Sequence, residues 1–154
     1  MNKLWNIGKY THFATSNVDV NLLHQPLNFS SLPTTEKYIV SKLHVTAIEV
    51  TRCMAQYAFA EMARLIYDFL WNELADWYIE ASKTRQADHE AHLVSRQCLV
   101  YCLEISCRLL HPIMPHVTEV LWQNLPHLGE SIMISDWPVS EKVCDYNMMW
   151  HQYI

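Results

Sequence analysis

Two pairs of side chains have the residue types and spacing that could hold a metal ion. His89 with His92, and Cys98 with Cys102, each fall on one side of a predicted helix. The Cys-x-x-Cys and His-x-x-x-His spacings of zinc sites and the Glu-x-x-His pattern of di-iron bundles occur nowhere in the chain. Both cysteines also belong to an apolar stripe, where a reduced cysteine behaves as a small hydrophobic side chain. We therefore expect no metal site.

Asp76 and Glu80 lie four residues apart and would project from one helix face, as a general acid and a general base could. A catalytic pair needs surroundings that separate the two pKa values, and nothing near these carboxylates indicates such a pocket. We prefer a solvated face, or an ion pair of Glu80 with Lys83 three residues later. No matched Cys and His motif for nucleophilic catalysis is present either. The sequence therefore predicts no catalytic residue.

Two pairs of a cation and an adjacent ring stand near predicted helix ends, Lys9 with Tyr10 and Lys37 with Tyr38. Proteins bind RNA loops by stacking unpaired bases on rings and by holding phosphates with cations. These pairs are candidate RNA contacts, although such pairs also occur on solvated surfaces. Trp77 differs, because it falls on the apolar stripe of its helix and is expected in the core.

Composition limits the fold and the class of function. A chain of 154 residues with 51% hydrophobic residues is long enough for one domain with a buried core. Its two glycines, Gly8 and Gly129, cannot supply a phosphate-binding loop, a dinucleotide fingerprint or a sheet of several hairpins. No long apolar run or secretory signal occurs, so no membrane span is expected. The five cysteines suit reduced thiols better than a disulfide framework.

The net charge of −5 disfavours a nucleic-acid partner at first sight, because such domains usually carry a basic surface. The charges are unevenly distributed along the chain. Residues 1–60 hold five lysine or arginine residues against three acids, whereas residues 61–154 hold six against thirteen. Any phosphate contacts are therefore expected in the first third of the chain.

Apolar residues recur at helical spacing through most of the chain and predict an all-α helical bundle of about five helices. Pro33 opens the second predicted helix, and Asp88 is a candidate cap of the fourth. Pro112 should end that helix and Pro115 should begin the fifth, because a proline inside a helix removes a hydrogen bond. Residues 14–32 show no clear period and are expected as a loop. The predicted helices span about residues 1–13, 33–56, 58–85, 88–109 and 116–125.

The chain after Pro126 is predicted as an irregular C-terminal tail. Its apolar residues Ile132, Ile134 and Trp137 could pack back on the bundle. We expect the bundle to comprise residues 1–138, with a further stretch of unknown role at 139–154.

Five separated blocks of sequence stand in a consistent order and spacing. They are residues 2–6 (Asn-Lys-Leu-Trp-Asn) with 8–10 (Gly-Lys-Tyr), residues 32–43, residues 76–80 (Asp-Trp-Tyr-Ile-Glu), residues 111–122 from His-Pro-Ile-Met-Pro to Leu-Trp, and residues 130–133 (Glu-Ser-Ile-Met) before Trp137 and Pro138. Together they resemble the anticodon-binding domain of class I aminoacyl-tRNA synthetases. Within that class the Asn-Lys-Leu-Trp-Asn opening, the Asp-Trp-Tyr-Ile-Glu stretch and the closing Glu-Ser-Ile-Met segment look like valyl-tRNA synthetase, whereas leucyl and isoleucyl relatives share mainly the proline-broken helix.

The resemblance implies a helical module that holds the anticodon stem and loop of tRNA(Val). It also implies that a separate catalytic domain, absent from this chain, joins valine to the tRNA with ATP and magnesium. The His-Ile-Gly-His and Lys-Met-Ser-Lys-Ser signatures of that domain do not occur here. We therefore expect a fragment with no cofactor and no ligase activity of its own, acting in the cytoplasm or in an organelle.

The resemblance and the cation–ring pairs together predict seven tRNA contacts. The family commonly has Arg and Phe at the positions of Lys9 and Tyr10, and Arg with an aromatic residue at Lys37 and Tyr38. Lysine lacks the planar fork of arginine, so affinity or base discrimination could differ. An alternative is a synthetase-derived scaffold module that binds protein and not RNA, which the net acidity favours. The predicted contacts are Asn2, Lys3, Asn6, Lys9, Tyr10, Lys37 and Tyr38.

Overall fold

The computed structural model describes residues 2–25, 27–83 and 89–138, which form helices and turns without a strand. The predicted all-α bundle is confirmed. No helix in this part of the chain is long and apolar enough to cross a membrane. The helices are α1 (Asn2–Thr15), α2 (Val20–Leu23), α3 (Thr34–Ala55), α4 (Phe59–Asp68), a π-helical segment (Phe69–Tyr78), α5 (Ile79–Lys83), α6 (His89–Leu110) and α7 (Pro115–Gln123), with 3₁₀ turns at Phe29–Ser31 and Ile132–Ile134.

The predicted loop at residues 14–32 is partly wrong, because it contains α2 and a 3₁₀ turn. Asp19 and Asn28 each accept a hydrogen bond from the backbone N–H two residues later, which starts these short helices. Leu23 and Phe29 are buried and fasten the segment to the bundle. A helix of one turn is too short to show a hydrophobic period, so the sequence pattern does not reveal it.

The third predicted helix is continuous from α4 to α5, but its middle is π-helical. Trp77, predicted in the core, is 41% exposed, whereas Tyr78 is fully buried. The i→i+5 hydrogen bonds of a π-helix widen each turn, so that Leu70, Leu74 and Tyr78 at four-residue spacing stay on the core face. In an α-helix the mixed spacing of three and four residues would have placed Trp77 there.

The core lies between α3, α6 and the run from α4 to α5, and several polar side chains inside it form hydrogen bonds with one another or with the backbone. The hydroxyl of Ser95 donates to Glu36 Oε1 at 2.8 Å, and the hydroxyl of Tyr78 donates to the Ser95 carbonyl oxygen at 3.1 Å. His44 Nε2 lies 2.8 Å from the hydroxyl oxygen of Tyr101, and burial lowers the pKa of His44 to about 4. Large side chains that are fully buried include Leu4, Ile39, Leu43, Met62, Ile66, Leu70, Leu74, Tyr78, Leu103, Leu109 and Trp122.

The corner between α6 and α7 forms at the predicted prolines. Helix α6 ends at Leu110, and α7 begins with Pro115 in its first turn, where the missing N–H costs no helical hydrogen bond. His111 Nδ1 lies 2.8 Å from Thr118 Oγ1, which connects the corner to α7. The Glu119 carboxylate then accepts a hydrogen bond from the Ile132 N–H at 3.2 Å. The corner therefore fixes both α7 and the turn that follows it.

The segment after α7 packs back on the bundle in part. Ile132 is buried, and the indole N–H of Trp137 donates to Thr51 Oγ1 on α3 at 2.9 Å. Ile134 is 72% exposed, so its predicted packing is wrong. Residues 139–154 lie outside the described residues, and the boundary at residue 138 stays a prediction.

Candidate nucleic-acid interface

Helix α1 carries five of the seven predicted contacts and presents three of them on one surface. Leu4 and Ile7 are buried against the bundle. Because residues three and four apart share a helix face, the opposite side of α1 points to solvent. Asn2, Asn6 and Lys9 are exposed there. The structure therefore places two amides and a cation together.

Helix α1 approaches α7 closely because Gly8 has no side chain. A Cβ atom at Gly8 would lie 2.6 Å from Leu121 Cδ2. Farther along, His12 Nδ1 lies 2.8 Å from the carbonyl oxygen of Asn124, which ties the two helices together. A cavity of about 150 Å³ remains between them. It is lined by Trp5, Gly8, Lys9, His12, Leu121 and Asn124.

The two lysines of α1 have different surroundings. Lys9 is exposed and has no ion pair or hydrogen bond with any described residue. Lys3 Nζ donates to Asp76 Oδ1 at 2.6 Å and lies 5.8 Å from the centroid of the Trp71 ring. The charge of Lys9 is therefore available to a phosphate, whereas the charge of Lys3 is largely compensated by Asp76.

Tyr10 lies on the same side of α1 as Lys3 and is packed partly against the core. Lys83 Nζ lies 5.7 Å from the centroid of the Tyr10 ring. The same ammonium group donates to Glu80 Oε1 at 2.6 Å, so the predicted ion pair is confirmed. An RNA base that stacked on this ring would compete with Lys83 for its face.

Lys37 and Tyr38 stand in the first turns of α3. Lys37 Nζ donates to the carbonyl oxygen of Ser30 at 3.0 Å and has no acidic partner among the described residues. The Tyr38 hydroxyl donates to Glu73 Oε2 at 3.1 Å, and its ring meets Trp77 edge-on with centroids 4.7 Å apart. Burial and the Glu73 carboxylate raise the pKa of Tyr38. No described acid thus compensates the ammonium group of Lys37, whereas Tyr38 is held by contacts within the protein.

Two exposed rings of α1 are not among the predicted contacts. Trp5 is 39% exposed and Phe13 is 81% exposed, and each lies four residues from Lys9. Residues at this spacing share one helix face. Their positions around the helix could have revealed them, because neither ring falls on the buried stripe that contains Leu4 and Ile7. Large rings outside the buried stripe are candidates for contact with a partner.

The cysteines considered as metal ligands and the carboxylates considered as catalytic groups make contacts within the protein. Cys98 and Cys102 are fully buried, and burial raises the pKa of the Cys98 thiol to about 12 and that of Cys102 well above its ordinary value. Asp76 and Glu80 each pair with a lysine. Across the described ranges, no group of three His, Cys, Asp or Glu residues could hold a metal ion. The side chain of His89 lies outside the described residues.

The helical bundle agrees with a family comparison. Residues 36–150 match the model of the anticodon-binding domain of tRNA ligase. Because this match covers more than half of the chain, the chain belongs to the family of anticodon-binding domains of tRNA ligases. The resemblance to this domain, predicted from the five sequence blocks, is confirmed.

Within that family, curated relatives of the chain are valine-tRNA ligases. It is 44% identical to the enzyme of Thermotoga maritima over 141 residues, covering 92% of this chain and 16% of the relative. Identity to the enzyme of Pseudothermotoga lettingae is 46%, covering 89% of this chain and 15% of the relative. The chloroplastic/mitochondrial valine-tRNA ligase 2 of Arabidopsis thaliana is 43% identical, with the same coverage. The chain thus spans about 16% of the length of these relatives.

Proposed function

We propose that the chain binds the anticodon stem and loop of tRNA(Val), as the anticodon-binding domain of a valine-tRNA ligase. The observation that supports this most is the exposed face of α1. There Lys9 has no acidic partner among the described residues and shares a surface with Asn2 and Asn6. Lysine can hold a phosphate, and side-chain amides can hydrogen-bond to base edges. Membership of the family of anticodon-binding domains, and the similarity to valine-tRNA ligases, support tRNA(Val) as the RNA.

The seven predicted contacts have unequal roles in this proposal. Lys9 and Lys37 hold phosphates, because no described acid neutralises either ammonium group. Tyr10 and Tyr38 offer rings that must exchange contacts within the protein for contacts with a base. Lys3 contributes less charge than Lys9, because Asp76 compensates it.

The ligase reaction is proposed for another part of the enzyme. The chain covers only about 16% of its curated relatives, and no ATP-binding signature occurs in its sequence. Valine activation, with ATP and magnesium, would then belong to a catalytic domain that is a partner of this module. We propose that the module acts in the cytoplasm or in an organelle, and the chloroplastic/mitochondrial name of one similar enzyme supports the second of these.

Titration with tRNA tests the proposed function. The chain should bind tRNA(Val) at low salt more tightly than an unrelated tRNA. Lys9→Ala and Lys37→Ala should each weaken binding and flatten its salt dependence. A variant that makes one phosphate contact fewer releases fewer counterions from the RNA when it binds. Equal binding of both tRNAs would overturn the specificity, and no binding of either would overturn the function.

A protein-binding scaffold is the second candidate function. Leu128, Met133 and Ile134 beyond α7 are 60%, 70% and 72% exposed, and the net charge is −5. Exposed apolar side chains close in sequence suit a protein surface better than a phosphate backbone. A folded chain that bound no tRNA even at low salt would favour this function.

A further inference from the structure

The groove between α1 and α7 continues past Trp5 into a second cavity. The first cavity, of about 150 Å³, lies on the side of Lys9, and the second, of about 360 Å³, lies toward the start of α7. Trp5 lines both. The second cavity is lined by Asn2, Trp5, His116, Val117 and Val120. A partly exposed indole therefore stands between two adjoining hollows on the face that carries Lys9.

The groove combines an apolar wall with polar groups at its rim. Leu121 and Val120 of α7 form part of its apolar lining, and the missing side chain of Gly8 allows the two helices to approach. Lys9 stands at the rim with no ion pair to any described residue. An apolar wall, a ring and a cation are the elements by which proteins hold unpaired nucleotides.

We propose that this groove holds an unpaired nucleotide of the RNA, with its base stacked on Trp5 and its phosphate held by Lys9. The proposal rests on the proposed function and assigns a subsite within it. Trp5 and Lys9 are four residues apart, which is about 6 Å along the helix axis. Ring and ammonium group are therefore close enough to contact neighbouring parts of one strand.

An RNA strand suits the groove better than an apolar protein segment. A protein segment laid across Trp5 would cover the rim and take the Lys9 ammonium out of water, where no described acid can balance it. A nucleotide brings its own negative charge to the same place. On the other flank of α1, Lys3 is paired with Asp76.

Substitution of Trp5 tests the stacking. The probe is an RNA hairpin that carries the anticodon loop of tRNA(Val), titrated against the full chain. Trp5→Leu keeps an apolar side chain but removes the ring, and should weaken binding by about fivefold to 100-fold, the usual range for losing a stacked base. Trp5→Phe keeps a ring and should retain most of the binding.

A matched substitution and a matched RNA provide the controls. Phe59 is 52% exposed at the start of α4, which packs on α3, the π-helical segment and α6, so Phe59→Leu should change binding less than twofold. A hairpin with abasic loop positions lacks the base that would stack, so the wild-type chain and Trp5→Leu should bind it equally. Circular dichroism checks that each variant keeps its helices.

The outcomes separate this inference from the proposed function. If Trp5→Leu binds the hairpin as tightly as the wild type while Lys9→Ala binds it more weakly, the groove is not a base site and the RNA function stands. A difference between wild type and Trp5→Leu that persists with the abasic hairpin would also overturn the stacking. If the wild-type chain binds no hairpin at all, both proposals are wrong.

Discussion

The two flanks of α1 carry similar residue types in different electrostatic surroundings. On the flank toward α7, Lys9 stands exposed beside Trp5 with no acidic partner among the described residues. On the flank toward the π-helical segment, Asp76 compensates Lys3, and Trp71 lies under the same ammonium group. Among the described lysines of α1, only Lys9 can offer its positive charge to a phosphate without breaking an ion pair.

The difference shows what a cation–ring pair in a sequence does and does not indicate. Lys9 and Lys3 are both lysines near rings in a basic stretch, and the neighbouring residues in the sequence do not distinguish them. The acid that distinguishes them lies 73 residues away from Lys3 along the chain. Long-range contacts therefore determine which lysine keeps a charge that no described acid compensates.

The largest expected effect concerns the packing of the π-helical flank. Tyr78→Ala should lower the free energy of unfolding by about 3–5 kcal/mol, because it empties a fully buried site. Trp77→Ala should cost only about 1–2 kcal/mol, because that ring is 41% exposed and loses mainly its contact with Tyr38. Urea denaturation of both variants measures the difference.

A control separates the buried ring of Tyr78 from its hydroxyl. Tyr78→Phe keeps the ring but removes the hydroxyl that donates to the Ser95 carbonyl oxygen, and should cost about 1 kcal/mol. A larger loss of stability for Trp77→Ala than for Tyr78→Ala would show that the register of the π-helical segment is wrong.

A second prediction concerns how the stability of the fold depends on pH, which sets the pH range in which RNA binding by the two flanks can be compared. Burial holds the pKa of His44 at about 4, below its ordinary 6.5. The unfolded chain takes up a proton below about pH 6.5, whereas the folded chain does so only near pH 4. Stability is therefore fully present above pH 6.5 and should fall by about 3 kcal/mol as the pH drops to 4.

Urea denaturation between pH 4 and 7 measures this loss. His44→Gln cannot take up the proton and should remove most of the slope in this range. An unchanged slope in the variant would assign the pH dependence to other groups. RNA binding by the two flanks is accordingly compared above pH 6.5.

The long helices could be predicted from the sequence, because α3 and α6 each repeat apolar residues over many turns and their cores follow that period. The corner at Pro112 and Pro115 was equally clear, since proline restricts the backbone wherever it stands. The π-helical turn that exposes Trp77 could not be predicted, because the same residues also fit an α-helical period. The partner of Lys3 could not be predicted either, because it depends on tertiary packing.

A third prediction concerns a substitution that frees the charge of Lys3, so that the flank toward the π-helical segment resembles the flank toward α7. Asp76→Asn removes the acid that pairs with Lys3, so tRNA binding at low salt should tighten by about threefold or less, as expected for one exposed charge. Glu49→Gln is the matched control, because Glu49 forms a similar exposed ion pair with Arg52 near the far end of α3. If both variants tighten binding equally, the effect is one of net charge and not of freeing Lys3.

We propose that Lys9, and not Lys3, holds a phosphate of the RNA. The most direct test is the salt dependence of tRNA(Val) binding for Lys9→Ala and Lys3→Ala, which make the same change on the same helix. Lys9→Ala should lower the slope of log K against log salt by about 0.7–0.9, the value of one phosphate contact. Lys3→Ala should lower it by less than half as much. Equal slopes for the two variants, or a larger change for Lys3→Ala, would contradict the account.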